Sequence, residues 1–253
     1  MYAEERQEHI LRAARSVGRV EVAELAAELD VAPETIRKDL TALERVGVVR
    51  RVHGGAIPVE RLGFEPAVAA RDVVLTAEKE RIAKAAIAEL PDEGAVLIDA
   101  GTTTARLADH MPTDRELTVV TNSLQLAGKL AAFPALNVLL LGGRVRSRTL
   151  ASVDAWALSA LAGVYVDLAL LATNGVSVER GLTTPDPAEA AIKTAMIGAS
   201  RRVVLLADHS KVGHDHFAHF GDLDAVDLLI TDTGLDERTA AELADAGPRV
   251  HRV

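Results

Sequence analysis

At 253 residues and 49% apolar content, the chain is long enough for two domains, although one large domain is also within range. With no cysteine it has neither a disulfide framework nor a thiolate metal site, and its net charge of −9 confines any nucleic-acid contact to a local basic patch. No apolar run approaches the length of a bilayer, and Met1-Tyr2-Ala3-Glu4-Glu5-Arg6 carries no signal-peptide core, so the expectation is a cytoplasmic protein without a membrane partner.

From Glu4 to Ser16 the pattern is helical, with Ile10, Leu11, Ala14 and Val17 on one side, and Gly18 stops it. Arg19 to Val22 is long enough only for an edge strand. A second helix runs from Ala23 to Leu29 with Leu25 and Leu29 facing inward. After the turn Asp30-Val31-Ala32-Pro33, Pro33 suits the first position of a third helix, and Ile36, Leu40 and Leu43 form its buried stripe. Lys38, Thr41 and Arg45 lie opposite, flanked by Thr35 and Arg37 near the helix start. Gly47 ends the helix, and Val48 to Gly55 reads as a small hairpin carrying Arg50 and Arg51, which makes a winged helix-turn-helix.

Residues 1–61 hold ten Lys/Arg against eleven Asp/Glu, so the segment as a whole is not basic. Between Arg37 and His53, however, five basic residues (Arg37, Lys38, Arg45, Arg50, Arg51) face two acidic ones (Asp39, Glu44), a local balance of +3. Phosphate contacts need such a local field, and side chains of the helix can read a groove. A solvated helix face on a protein-interaction module is the plain alternative.

Val31 to Leu40, followed by Leu43-Glu44, Gly47 and Arg51-Val52-His53-Gly54-Gly55-Ala56, resembles the N-terminal signature of the DeoR family of bacterial transcriptional regulators. The resemblance implies operator contacts from Thr35, Arg37, Lys38, Arg51 and His53, to which the exposed-face reading adds Thr41, Arg45 and Arg50. Ala32 stands where a serine commonly caps the helix, a difference of about 1 kcal/mol in helix stability. Lys38 replaces a common arginine, turning a bidentate contact into a point charge.

Residues 57–75 are a connector in which Pro58, Gly63 and Pro66 break any long helix, giving expected domains of 1–57 and 76–253 with a linker over 58–75. Thr76 then starts a helix with Ile82, Ala86, Ile87 and Leu90 inside, ended by Pro91. Beyond it an apolar run, a polar cluster and a helical pattern recur. The clusters are Asp99 to Thr104, Thr121-Asn122-Ser123, Gly142-Gly143-Arg144, Thr173-Asn174-Gly175, Asp208 to Lys211 and Thr231-Asp232. Strand and helix alternating in this way imply an α/β domain whose sheet is mostly parallel, with every cluster at the carboxyl edge where ligands bind.

At that edge Ala-Val-Leu-Ile-Asp-Ala-Gly-Thr-Thr-Thr (residues 95–104) suits a buried strand, a turn at Gly101, and an anion held by main-chain N–H groups and the hydroxyls of Thr102, Thr103 and Thr104 as Ala105 to Ala108 begins a helix. Arg144, Lys193 and Lys211 are candidate cations. Asp99, Asn122, Asn174 and Asp208 suit sugar hydroxyls. Each has a structural alternative: Asp99 as a helix cap, the asparagines as turn residues, Lys193 as an exposed partner of Glu189 at i,i+4. His209, His214, His216 and His219 beside Asp208 and Asp215 match no metal spacing, and nucleophile-elbow, P-loop and dinucleotide fingerprints are missing, so no metal and no cofactor is expected.

This half, too, is similar to the DeoR family, in its effector domain, through Asp99 to Thr104, Thr121 to Ser123, Leu141-Gly142-Gly143, Asn174-Gly175, Gly181 to Thr184, Glu189 with Lys193, and Ala207 to Lys211. The resemblance implies a fold related to sugar-phosphate isomerases, used to sense a phosphorylated sugar or polyol bound by residues including Asp99, Gly101, Thr121, Asn122, Gly143, Arg144, Asn174, Lys193, Asp208 and Lys211. Ala172 and Asp154 stand where glycines are common, and Asp154 adds an acidic side chain beside the anion site. The expected function is a transcriptional repressor of a sugar or polyol catabolic operon, not an enzyme. Its partners are double-stranded operator DNA, the effector and further copies of itself as a dimer or tetramer. The competing reading is an isomerase-like enzyme with an appended winged helix, using Asp99 or Asp208 as base.

Overall fold

The computed structural model describes residues 2–17, 19–58 and 65–253, so Gly18 and Gly63, read above as helix breakers, lie outside the described residues. Contacts divide the chain into two units, residues 1–74 and 75–253.

The first unit runs through helix α1 (Ala3–Val17), strand β1 (Val20–Glu21), helix α2 (Val22–Glu28), helix α3 (Pro33–Arg45) and strands β2 (Val49–Val52) and β3 (Gly55–Pro58). The stripe Ile36, Leu40 and Leu43 on α3 is buried against Ile10 and Ala14 of α1, Leu25 of α2 and Val49 of β2. Pro33 opens α3, and Ala32 before it makes no side-chain cap. Strands β2 and β3 form an antiparallel hairpin around His53-Gly54, with Gly54 at φ +78°, and β1 pairs with the free side of β3. Two expectations change. Val17 is 75% exposed, because the buried side of α1 ends a turn earlier at Ala14. Asp39, counted above among the charges facing the basic patch, is buried beneath α3, where Arg6 donates to it at 2.5 Å and Gln7 at 3.0 Å. Within the region read as connector, helix α4 (Val68–Asp72) forms, and the buried Glu65 carboxylate lies 3.5 Å from Arg71.

The second unit begins with helix α5 (Thr76–Ile87) and continues with β4 (Glu93–Ile98), a 3₁₀ turn over Thr104–Asp109, β5 (Glu116–Thr121), α6 (Leu124–Leu130) and β6 (Leu136–Leu140). Then come β7 (Arg144–Arg146), β8 (Ala151–Val153), α7 (Ala155–Leu161), β9 (Leu168–Ala172), β10 (Gly175–Ser177), β11 (Gly181–Thr184) and α8 (Pro187–Gly198). The chain ends with β12 (Val203–Leu206), a 3₁₀ turn over His209–Lys211, β13 (Ala218–Gly221), a 3₁₀ turn over Leu223–Ala225, β14 (Leu228–Thr231), α9 (Glu237–Asp245) and β15 (Arg249–Arg252).

Seven strands form one sheet in the order β15-β14-β12-β9-β4-β5-β6, each neighbouring pair parallel. Its strands are apolar on both faces because both are covered. One face packs Leu97, Val120, Leu171, Leu205 and Leu229 against α7, α8 and α9; the other packs Ile98, Val119, Leu170, Leu206 and Ile230 against α5 and α6. Alternation of strand and helix is not continuous, since only 3₁₀ turns and β13 connect β12 to β14. A hairpin of β7 and β8 and an antiparallel trio β10-β11-β13 complete the unit.

From β4 the chain builds outward through β5 to β6, then returns to the other side of β4 at β9 and proceeds to β15. The strand order therefore reverses between β4 and β9. In open α/β sheets the carboxyl ends at such a reversal form a crevice, because the loops leaving the two strands diverge.

Candidate functional site

In the first unit the exposed side of α3 carries Arg37, Lys38, Thr41 and Arg45, with Thr35 half-buried at its start; Arg50, Arg51 and His53 are exposed on the hairpin. Helix and hairpin are tied together: the Arg51 guanidinium donates to the Thr41 hydroxyl at 3.2 Å, and the Arg51 N–H donates to Glu44 at 2.9 Å. Arg37 pairs with Glu34 at 2.7 Å, an exposed contact that solvent screens. Because Asp39 is spent on Arg6, the charge presented on this side is more positive than the sequence count suggests. A helix face with three cations beside a basic hairpin suits the major groove and its flanking phosphates.

In the second unit the reversal point is locked by charge. The Asp99 carboxylate, at the end of β4, accepts from the Lys193 ammonium of α8 and, at 3.1 Å, from the Ala172 N–H of β9. Lys193 also donates to the Ala172 carbonyl at 2.8 Å and lies 5.4 Å from the Phe220 ring centre. Both charged side chains are at most 4% exposed. Burial pushes the Asp99 carboxyl above its usual range, and Lys193 and the Ala172 N–H pull it partly back. Lys193 is thus neither a solvated residue nor the partner of Glu189. Glu189 instead accepts from Arg146 and from the Thr149 hydroxyl, both at 2.5 Å.

The loop leaving β4 is shaped by close packing. A Cβ on Gly101 would come within 2.8 Å of the Ala172 side chain, so only glycine fits. Thr102, Thr103 and Thr104 are buried. Thr104 donates to the Gly101 carbonyl at 3.1 Å, and Arg106, which the sequence reading did not single out, donates to the Thr102 carbonyl at 2.7 Å. Among the described residues, neither the N–H groups of Gly101, Thr102 and Thr103 nor the hydroxyls of Thr102 and Thr103 donate to a protein acceptor. The expected helix after Thr104 is a six-residue 3₁₀ turn, so the donors belong to the loop itself and owe little to a helix dipole.

Thr102, Asn122, Asn174 and Lys211 lie beyond the carboxyl ends of β4, β5, β9 and β12, four adjacent strands about 14 Å across. Asn122 accepts from the Ala100 N–H at 2.9 Å, and the Thr121 hydroxyl donates to the Ile98 carbonyl at 2.6 Å, so both brace the end of β4. Asn174 accepts from Thr184 at 2.9 Å, and its carbonyl is 3.2 Å from the His216 ring. Asp208 caps the turn carrying Lys211 by accepting from the Ser210 N–H at 3.1 Å, while its second oxygen is buried with no hydrogen-bond partner among the described residues. Desolvation opposes ionisation of Asp208, yet Lys211, Lys79 and Ser210 hold its carboxyl below the usual range.

Gly143 (φ +130°) abuts the Val153 carbonyl and starts the hairpin holding Arg144, which pairs with Asp154 at 2.6 Å. Asp154 therefore neutralises a cation beside the edge, and it does so at φ +76°, ψ −169°, backbone angles that favour glycine. The histidines between 209 and 219 are dispersed: His209 pairs with Asp232 and His219 with Asp222, and no metal-binding group of His, Asp or Glu occurs among the described residues. No described helix is long and apolar enough to cross a membrane.

The family model described as "DeoR-like helix-turn-helix domain" matches residues 6–61, and that described as "DeoR C terminal sensor domain" matches residues 75–233. The chain is 41% identical over 229 residues to the HTH-type transcriptional regulator GlpR of Haloferax volcanii, spanning 90% of this chain and 89% of that one. It is 31% identical over 228 residues to the glycerol-3-phosphate regulon repressor of Escherichia coli K12, spanning 90% of each. Among solved structures, ribose 5-phosphate isomerase A of Methanocaldococcus jannaschii overlays 53% of each chain with a TM-score of 0.40 and 14% identity. The chain belongs to the DeoR family of transcriptional regulators, with a DeoR-like helix-turn-helix domain followed by a DeoR C-terminal sensor domain.

Proposed function

We propose that this DeoR-family chain represses a sugar or polyol catabolic operon, and that a phosphorylated sugar or polyol bound at the reversal point between β4 and β9 alters its affinity for the operator. The observation that carries the reading is the set of donors in the loop Gly101 to Thr103 that meet no protein acceptor among the described residues, next to Arg106 and just after Asp99 of the Asp99–Lys193 lock. Three main-chain N–H groups and two hydroxyls within one loop suit the oxygens of a phosphate. Asn174, Asp208 and Lys211, across the crevice, supply groups for hydroxyls of the attached sugar. The E. coli relative's own name concerns glycerol 3-phosphate, a phosphorylated polyol.

Residues 1–57 are the DNA-binding part in this reading, 58–75 the linker and 76–253 the sensor. Arg37, Lys38, Thr41 and Arg45, with Thr35, face the groove, while Arg50, Arg51 and His53 take phosphates. Binding of the effector changes operator affinity only insofar as the effector binds the DNA-competent and DNA-incompetent states unequally. The sensor acts without turnover. One of its buried carboxylates, Asp99, holds β4 to α8 and β9 by accepting through one oxygen from both Lys193 and the Ala172 N–H, a structural role in this reading.

A thermal-shift screen of pentose, hexose and triose phosphates tests the reading, since a ligand held only by the folded state raises the melting temperature by mass action. At least one phosphorylated compound is expected to stabilise the protein while its unphosphorylated counterpart does not. Isomerisation of that compound by the purified chain, lost in Asp99→Asn, would establish the enzyme in place of the regulator.

A further inference from the structure

The two edges of the seven-stranded sheet are finished differently. Strand β15 reads Arg-Val-His-Arg, and charge of this kind keeps an unpaired edge from recruiting another strand. Strand β6 reads Leu-Asn-Val-Leu-Leu, with no charge, no proline and no shift in its register with β5. Its outer N–H and C=O groups face away from the sheet with nothing in the strand to guard them. The chain around it is equally neutral: no Asp, Glu, Lys or Arg occurs in residues 130–143, nor in residues 155–166, which include α7.

Both neutral stretches contribute to the same face of the sheet, through Leu141 of the first and Ala157 and Leu161 of the second. Leu139 lies opposite Val120 in the β5–β6 register and so points to the face that carries α7, where Val120 is buried in the core. Leu139 is 44% exposed there and Asn137 beside it is exposed. On α7 the chain's one tryptophan, Trp156, is 79% exposed, and Tyr165 just beyond the helix is 66% exposed.

We propose that this surface, the free edge of β6 together with the outer side of α7, is where two copies of the chain associate about a two-fold axis, β6 pairing antiparallel with β6 of the second copy. A two-fold axis sets the same strand against itself in opposite directions, so the requirement is a strand that tolerates its own sequence as a neighbour. Leu-Asn-Val-Leu-Leu meets it, for no register opposes like charges. Two chains of net charge −9 repel over most of their surface, and a neutral patch is where they can approach; a charged partner would find nothing here to pair with. The size also suits a second copy. Two aromatics of this kind bury on the order of 300 Å², toward the roughly 800 Å² that each partner contributes to a standard interface, and the strand edge and its leucines add to that.

The test is the mass of the full chain in solution at micromolar concentration, by sedimentation or light scattering, for wild type, Leu139→Glu and Asn137→Lys. Both positions are exposed, and circular dichroism verifies that each variant is folded. Wild type is expected to be an even-numbered assembly, and each variant to have half its mass. Trp156 fluorescence gives a second reading: shielded from a soluble quencher in wild type, accessible in both variants. A monomeric wild type, or an assembly whose mass and quenching are the same in both folded variants, would overturn the proposal.

Discussion

Replacing Lys193 with methionine keeps the length of the side chain and removes its charge, leaving Asp99 buried without its cation. Both side chains are almost wholly inaccessible, so solvent cannot compensate. Breaking a buried pair by removing one partner costs about 3–5 kcal/mol. In a unit spanning residues 75–253, each kcal/mol moves the melting temperature by roughly 2–4 °C, so a drop of about 6–20 °C is expected. Its pH dependence is equally specific. Burial already raises the Asp99 carboxyl, and without Lys193 it rises further above its unfolded value. A carboxyl raised in the folded state favours the protonated form, so the deficit of the variant grows as pH increases and shrinks in acid. Adding Asp99→Asn removes the stranded charge and should restore much of the loss, because neither ion is then buried. Melting curves by circular dichroism at pH 5 and pH 8 measure all three. If Lys193→Met melts within a degree or two of wild type at pH 8, the lock between β4, β9 and α8 does not exist as described.

Ala32→Ser supplies the missing cap of α3, where the backbone already has the extended angles of a capping residue; a gain of about 1 kcal/mol is expected in chemical unfolding of the first unit. Asp154→Gly relieves glycine-like angles that cost on the order of 1–3 kcal/mol, and the exposed pair with Arg144 offsets little of this, so the second unit should melt a few degrees higher. Arg51→Ala removes a hairpin cation braced by Thr41; DNA affinity should fall across sequences alike, and the slope of log affinity against log salt should lessen by about one.

Periodic and doubly buried elements were legible in the chain. The stripe on α3 repeats at helical spacing, and the central strands read as apolar runs because both their faces are covered. The short strands β7, β8, β10, β11 and β13 were not, since three or four residues carry no period and their pairing is set by distant neighbours. Strand β15 was hidden by its own charges. At the site, residue types were readable but their partners were not. Lys193 sits four positions from Glu189, which suggests a local pair, yet its partner Asp99 is 94 residues away and reaches it only when β4 and α8 pack together. Asp39 misled for the same reason, its partner Arg6 lying 33 positions earlier.

The most direct measurement is the affinity of the full chain for DNA from its own promoter, titrated at fixed salt with and without a phosphorylated sugar that stabilises it. The predicted result is selective binding over random DNA, an affinity that changes severalfold with that compound, and loss of this response in Lys193→Met under conditions where the variant is folded. Equal affinity for promoter and random DNA, or an affinity indifferent to every phosphorylated sugar that binds, would contradict the coupling of the two units.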